Sequence, residues 1–159
     1  MNPLNTQPGG RELRGNFVLL RADTLRILLP QSEVGNAEYL DAVPQASEVP
    51  GIFEYRGARG SEGAQALLAL SAAMLPMQAY PQDRFVVTPI ATPQGAVGFG
   101  WNEVSVLIDA RLQAQTLPAA MLADDAPLRE FVEIDDKVVF CCDAARLADY
   151  VHALEPCRR

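Results

Sequence analysis

The sequence predicts a mainly β protein, a small barrel or pair of barrels closed by one C-terminal helix. Three observations point there. About seven to ten short apolar runs follow one another with turns at close intervals, as in small all-β folds. No strand pattern alternates with long helical stretches, so a doubly wound parallel sheet is disfavoured. Only near the C-terminus does a capping residue precede apolar positions at three-and-four spacing.

The elements follow in order. Residues 1 to 15 (MNPLNTQPGGRELRG) are polar and carry proline and glycine, so a flexible N-terminal segment is expected, ahead of one domain over 16 to 155. Asn16 to Arg21 (NFVLLR) and Leu25 to Leu29 (LRILL) are rich in Phe, Val and Ile and are split by Ala-Asp-Thr, which predicts a hairpin ended by Pro30. A polar connection with Pro44 and Pro50 leads to a strand over Ile52 to Tyr55. Ala64 to Met74 (AQALLALSAAM) has helix propensity but is short and bounded by glycine and Pro76. It divides into a strand over Ala64 to Ala69 and a helical turn over Leu70 to Leu75.

Arg84 to Ile90, Ala96 to Trp101 and Ser105 to Ile108 read as β runs, with Thr92-Pro-Gln-Gly95 as a turn between the first two. Leu117 to Leu128 is a loop or short helix interrupted by Pro118 and Pro127. Leu128 to Ile134 and Val138 to Cys142 form a second hairpin about Asp135-Asp136-Lys137. Asp143 is the expected N-cap of a helix over Ala144 to Leu154, with Leu147, Tyr150, Val151 and Leu154 on one face.

Bulk properties narrow the function. At 159 residues the chain has the size of one domain, and 49% hydrophobic against 21% charged residues implies a folded core. Twenty acids oppose twelve arginines and Lys137, for a net charge of −7, so a basic stripe for nucleic acid is missing. No run reaches the eighteen apolar residues of a membrane span, and the first fifteen residues lack the apolar region of an export signal. The expected location is the cytoplasm.

Chemistry was sought in several patterns. Cys141, Cys142 and Cys157 show no C-x-x-C and no zinc-type spacing, and the adjacent pair would face opposite sides of a strand, so burial is expected. A phosphate loop would require lysine after its glycines, and Lys137 lies far from Gly57, Gly60 and Gly63. His152 is the single histidine and no serine sits in a G-x-S-x-G elbow, so a Ser-His-Asp triad is disfavoured. The pairs Asp124-Asp125 and Asp135-Asp136 fall in expected turns, where aspartate bonds its own backbone. No catalytic residue, metal ligand or cofactor is assigned.

The stretches LLPQSEVGN, VPGIFEYRG, GFGWNEV and EIDDKVVFCCDAARL, in this order from about Asn16 to Val151, resemble the CheW-like domain of bacterial chemosensory systems. The resemblance implies two linked SH3-like five-stranded β-barrels with a short middle helix and a C-terminal helix. It also implies no activity of its own, and coupling of methyl-accepting chemoreceptors to the regulatory domain of a CheA-type histidine kinase. The output would be chemotaxis, or twitching motility through type IV pili. Partner-binding positions carried over are Val34, Asn36, Gly51, Arg56 and Gly57. An arginine there offers a planar five-donor fork of the kind enriched at interface hot spots. The chain departs from the family pattern at Asn36, near where members often have an acid, at Glu54 in place of asparagine, at Ala69 and Asn102 in place of aspartate, and over the glycine-rich stretch Ala58 to Gly63. Those departures keep a second reading open, a CheW-fold scaffold whose partner lies outside receptor arrays. A small enzyme is a third, with few candidate acid-base groups.

Overall fold

The computed structural model describes residues 11–55, 65–92, 95–118 and 127–153. It contains eleven strands and one α-helix. The strands are β1 (Arg11–Ala22), β2 (Leu25–Pro30), β3 (Glu38–Tyr39), β4 (Gln45–Ala46), β5 (Phe53–Tyr55), β6 (Gln65–Leu68), β7 (Val86–Thr92), β8 (Gly95–Trp101), β9 (Glu103–Thr116), β10 (Glu130–Ile134) and β11 (Lys137–Cys141). The helix is α1 (Ala144–Ala153).

Five strands close into a barrel in the order β1-β2-β11-β10-β9, with β2 and β11 parallel. The other six form a half-barrel sheet in the order β3-β7-β8-β6-β5-β4, with β6 and β8 parallel. The mainly β prediction therefore holds, with one closed barrel and one open sheet where two five-stranded barrels were expected. The closed barrel draws on both ends of the described chain, and the half-barrel is inserted between β2 and β9.

Turn chemistry explains the hairpins. Ala22 pairs with Leu25 across Asp23-Thr24, where Asp23 takes a left-handed φ of 57°. Asp135 and Asp136, with φ of 53° and 65°, make the tight β10–β11 turn, in which both central residues sit in the region that aspartate tolerates. Two expectations need correction. Residues 11 to 15, expected to be flexible, belong to β1, because Arg11 to Gly15 pair with Ala114 to Ala110 of the long β9. The middle helix over Leu70 to Leu75 is not formed. The Ser71 hydroxyl accepts from Ala73 N and Leu75 N, and Ser71 N bonds Leu75 O, so side chain and backbone close a turn instead.

Alternation along β1 and β2 sorts the core into two layers. Phe17 and Leu28 point into the barrel with Ala114, Val132, Val139 and Cys141. Val18, Leu20, Ala22, Leu25, Ile27 and Leu29 point outward against Leu68, Ile90, Phe99 and Trp101 of the half-barrel. The barrel's outer face is therefore the main contact between the two sheets. Burying each such side chain contributes about 1.5 to 3 kcal/mol.

Strand β8 shows why GFGW has its composition. Phe99 and Trp101 fill the layer between the sheets, while Gly98 and Gly100 on the opposite face leave room for the Tyr55 and Tyr80 rings. The buried Trp101 Nε1 donates to Thr88 Oγ1 at 2.8 Å. Helix α1 starts as expected, with Arg146 N donating to Asp143 Oδ1 at 2.7 Å. Its Leu147, Ala148 and Val151 are buried, and the Tyr150 hydroxyl donates to Met74 O at 2.8 Å. The expected Leu154 lies outside the described residues. Among the described residues no helix is long and apolar enough to cross a membrane.

Candidate functional site

The link from barrel to half-barrel carries the first candidate residues. Pro30 ends β2, and Gln31–Glu33 form one 3-10 turn closed by Val34 N donating to Gln31 O at 3.2 Å. Val34 then forms a bridge with Ile90, and Gly35 N donates to Pro89 O at 2.9 Å. A Cβ at Gly35 would lie 2.6 Å from Pro89 Cγ, so only glycine permits this approach. Glu33 Oε1 accepts from Ala144 N at 2.7 Å and ties the link to the start of α1. Val34 is thus half-buried against the layer between the sheets, whereas Asn36 is exposed.

Gly51 sits in the turn between β4 and β5. Ile52 N donates to Val49 O at 3.1 Å, and Gly51 has φ of 86° after Pro50, the arrangement of a type II turn. Gly51 is buried, so backbone geometry accounts for its identity. Strand β5 follows with Phe53 and Tyr55 inward and Glu54 exposed. Arg56 and Gly57, and the stretch Ala58 to Gly63, lie outside the described residues. In the sheet order Val34 and Asn36 precede the outer strand β3, while Gly51 borders β4 and β5 at the other end. The structure therefore does not gather these positions into one cluster of side chains.

Sequence reading missed the polar device that fixes the two sheets together. Arg84, just before β7, is 0% exposed. Its Nη2 pairs with Asp23 Oδ2 at 2.9 Å, and its Nη1 donates to Leu70 O at 2.9 Å and Gly100 O at 3.4 Å. Its Nε is buried without a partner. Tyr80 OH donates to Arg84 O. Asn102 works on the same corner: its N donates to Arg21 O at 2.8 Å, its Oδ1 accepts from Asp23 N, and its Nδ2 donates to Asp83 O at 3.2 Å. The β1–β2 turn is thereby pinned to the half-barrel. The position that departs from the family's aspartate thus has a structural task here. An arginine at the head of an apolar run reads as a strand boundary, and no spacing signal marks it as internal.

A cleft of about 890 Å³ opens at the barrel end near the start of α1. Arg11, Arg14 and Arg146 line it, and each has an acid within reach. Arg11 is bonded at Nε and Nη2 to Glu130, Arg14 lies 3.4 Å from Glu12, and Arg146 lies 3.7 Å from Asp143. The Glu130 contact raises the Arg11 pKa above its usual value. Cys141 and Cys142 stand at its back and face opposite layers, as expected. Burial, then the negative charge of Glu130, pushes the Cys141 thiol up to about 11. Burial, then Asp143, pushes Cys142 up to about 12. Both are protonated at neutral pH and are poor nucleophiles there. Among the described residues no group of three His, Cys, Asp or Glu side chains could hold a metal ion. Asp135 and Asp136 serve the tight turn, and Asp124 and Asp125 lie outside the described residues.

No family model and no curated protein matches this sequence. Among solved structures, the scaffolding protein TtCheW from Thermoanaerobacter tengcongensis matches with a TM-score of 0.55 at 15% identity. The match covers 85% of this chain and 92% of that one. The chain has the CheW-like fold. Within it, the closed barrel and half-barrel correspond to the two linked β units that the sequence resemblance implied, and α1 to the C-terminal helix.

Proposed function

We propose that this chain is a non-catalytic chemosensory adaptor that couples methyl-accepting chemoreceptors to a CheA-type histidine kinase. Chemotaxis, or control of twitching through type IV pili, is the output, and the cytoplasm is the location. The observation that carries this reading is the CheW-like fold over 85% of the chain, shared with a protein described as a scaffold. In this reading the exposed Asn36 with Val34 behind it forms one contact. Gly51, with Arg56 and Gly57 that follow β5 in the sequence, forms the other. An arginine at such a contact contributes through its fork of donors, and its loss costs about 1 to 3 kcal/mol where it is a hot spot.

The test is titration of the purified chain against the regulatory domain of a CheA-type kinase and against a chemoreceptor cytoplasmic fragment. Binding to both, with Arg56→Ala weakening the kinase complex by about 1 to 3 kcal/mol, supports the reading. Binding to neither refutes it.

One observation favours a second reading, in which the same fold serves a partner outside receptor arrays. Glu54 projects an exposed carboxylate from β5 where the family pattern has asparagine. Retention of a different protein from native extract, together with no kinase binding, would select that reading.

A further inference from the structure

Exposed aromatic rings stand beside a hollow at the β3 edge of the half-barrel. Tyr39 of β3 is 67% exposed, Val43 64% and Phe85 45%. The Tyr39 and Phe85 rings lie 5.9 Å apart, inclined at 35°. Beside them is a hollow of about 180 Å³, lined by Leu40, Asp41, Val43, Pro44, Tyr80 and Phe85 among others. That volume is below the range of small-molecule sites and suits one side chain. Large apolar side chains this exposed and this close together are uncommon outside contact surfaces.

Two exposed acids stand at the hollow: Asp41 lines it, and Asp83 lies between its lining residues Gln82 and Arg84. Among the described residues the cation that lines it, Arg84, is fully buried, and its guanidinium engages Asp23 and the Leu70 and Gly100 carbonyls. The floor therefore suits an aliphatic stem, and the rim suits a positive charge. Ring faces add cation–π attraction.

We propose that this face docks a cation-rich segment of a partner protein, in which an arginine or lysine lays its stem in the hollow and its charge between Asp41 and the Tyr39–Phe85 rings. The surface begins at β3, just after Val34 and Asn36 in the chain, and its test does not require the kinase as a partner. An acidic partner is disfavoured by like-charge repulsion from Asp41 and Asp83.

Fluorescence anisotropy with the full chain tests this. The probe is a short labelled peptide alternating arginine and valine, and the control alternates glutamate and valine. Expected are binding of the arginine peptide that weakens as salt rises, no binding of the glutamate peptide, and about tenfold weaker binding for Asp41→Lys and for Tyr39→Ser. Both positions are exposed, and circular dichroism confirms that each variant folds. Equal binding of the two peptides, or wild-type affinity in both variants, overturns the proposal. So does sedimentation showing a dimer that Tyr39→Ser dissociates, since a second copy would then be the occupant.

Discussion

The ion pair between Asp23 and Arg84 yields the most discriminating stability prediction. Asp23→Asn keeps the acceptor oxygen and a residue that tolerates the left-handed φ of 57°, so it removes charge and little else. Arg84, at 0% exposure, is then balanced only by the Leu70 and Gly100 carbonyls. Breaking a fully buried pair from one side costs about 3 to 5 kcal/mol. The Asp23 side chain is 46% exposed, so water screens the pair, and the expected loss falls to about 1 to 2 kcal/mol.

Arg84→Met takes away the buried charge itself. It forfeits the bond to Leu70 O, about 1.5 to 3 kcal/mol for a charged donor, and relieves the unpartnered Nε, so about 1 to 2 kcal/mol is lost on balance. Once Arg84 is gone, Asp23→Asn should cost less than about 0.5 kcal/mol, because its charge has nothing left to serve. Urea unfolding of the two single variants and the double variant gives the coupling directly. An equal cost for Asp23→Asn in both backgrounds would show that the pair does not clamp the two sheets, and the reasoning fails.

Other outcomes are expected. Gly51→Ala forces a β-carbon into φ of 86° and should lower stability by about 1 to 2 kcal/mol in the same assay, whereas Pro50→Ala should cost less than 1 kcal/mol, since alanine reaches the position after Val49 without strain. Asp143→Ala removes the N-cap bond to Arg146 N and should cost about 1 kcal/mol, with reduced helical circular dichroism. Trp101→Phe keeps most of the buried area but leaves Thr88 Oγ1 unpaired, a loss of about 1 to 3 kcal/mol on thermal unfolding. For Cys141 and Cys142 the folded state holds its protons above the usual thiol pKa of 9, so it binds more protons than the unfolded chain over the interval up to about 11 and about 12. Stability from these groups is complete below pH 9 and falls as pH rises through that interval, and thiol reagents at pH 8 should modify Cys141 and Cys142 only on unfolding.

The legible parts of the fold were local. Both tight hairpins, the β5 strand and the Asp143 cap could be read because turn residues and alternation lie within a few positions of one another. The parallel pairings of β2 with β11 and β6 with β8 join distant segments, and nothing local encodes them. Strand β9 runs far past Ile108, but its register with β1 shifts there: exposed Ile108 and Asp109 stand side by side, Asp109 with φ of 50°, and the exposed Arg111 and Gln113 beyond the break gave no strand signal. Alanine and leucine over 70 to 75 suggested a helix that the Ser71 turn overrode. Of the proposed contact positions, Val34 and Gly51 drew notice through sequence resemblance, yet each also has a packing or turn role that pattern alone did not separate from binding. Arg84 carried no signal, and Asn102 only a departure from the family pattern, since their value comes from carbonyls and a turn that meet only in three dimensions.

The insertion of the half-barrel between β2 and β9 sets an order of assembly. Residues 38 to 101 supply every described strand of the half-barrel, so that sheet needs no strand from later in the chain and is expected to form first. The closed barrel must wait for β11, when Phe140 reaches Ile27 across most of the chain. In the interval the β1–β2 hairpin exposes Phe17 and Leu28, which later face into the barrel. Its outer face packs on the half-barrel. The early sheet is expected to act as a template for the hairpin until β9, β10 and β11 arrive, and slow synthesis of those strands should lengthen the period of aggregation risk.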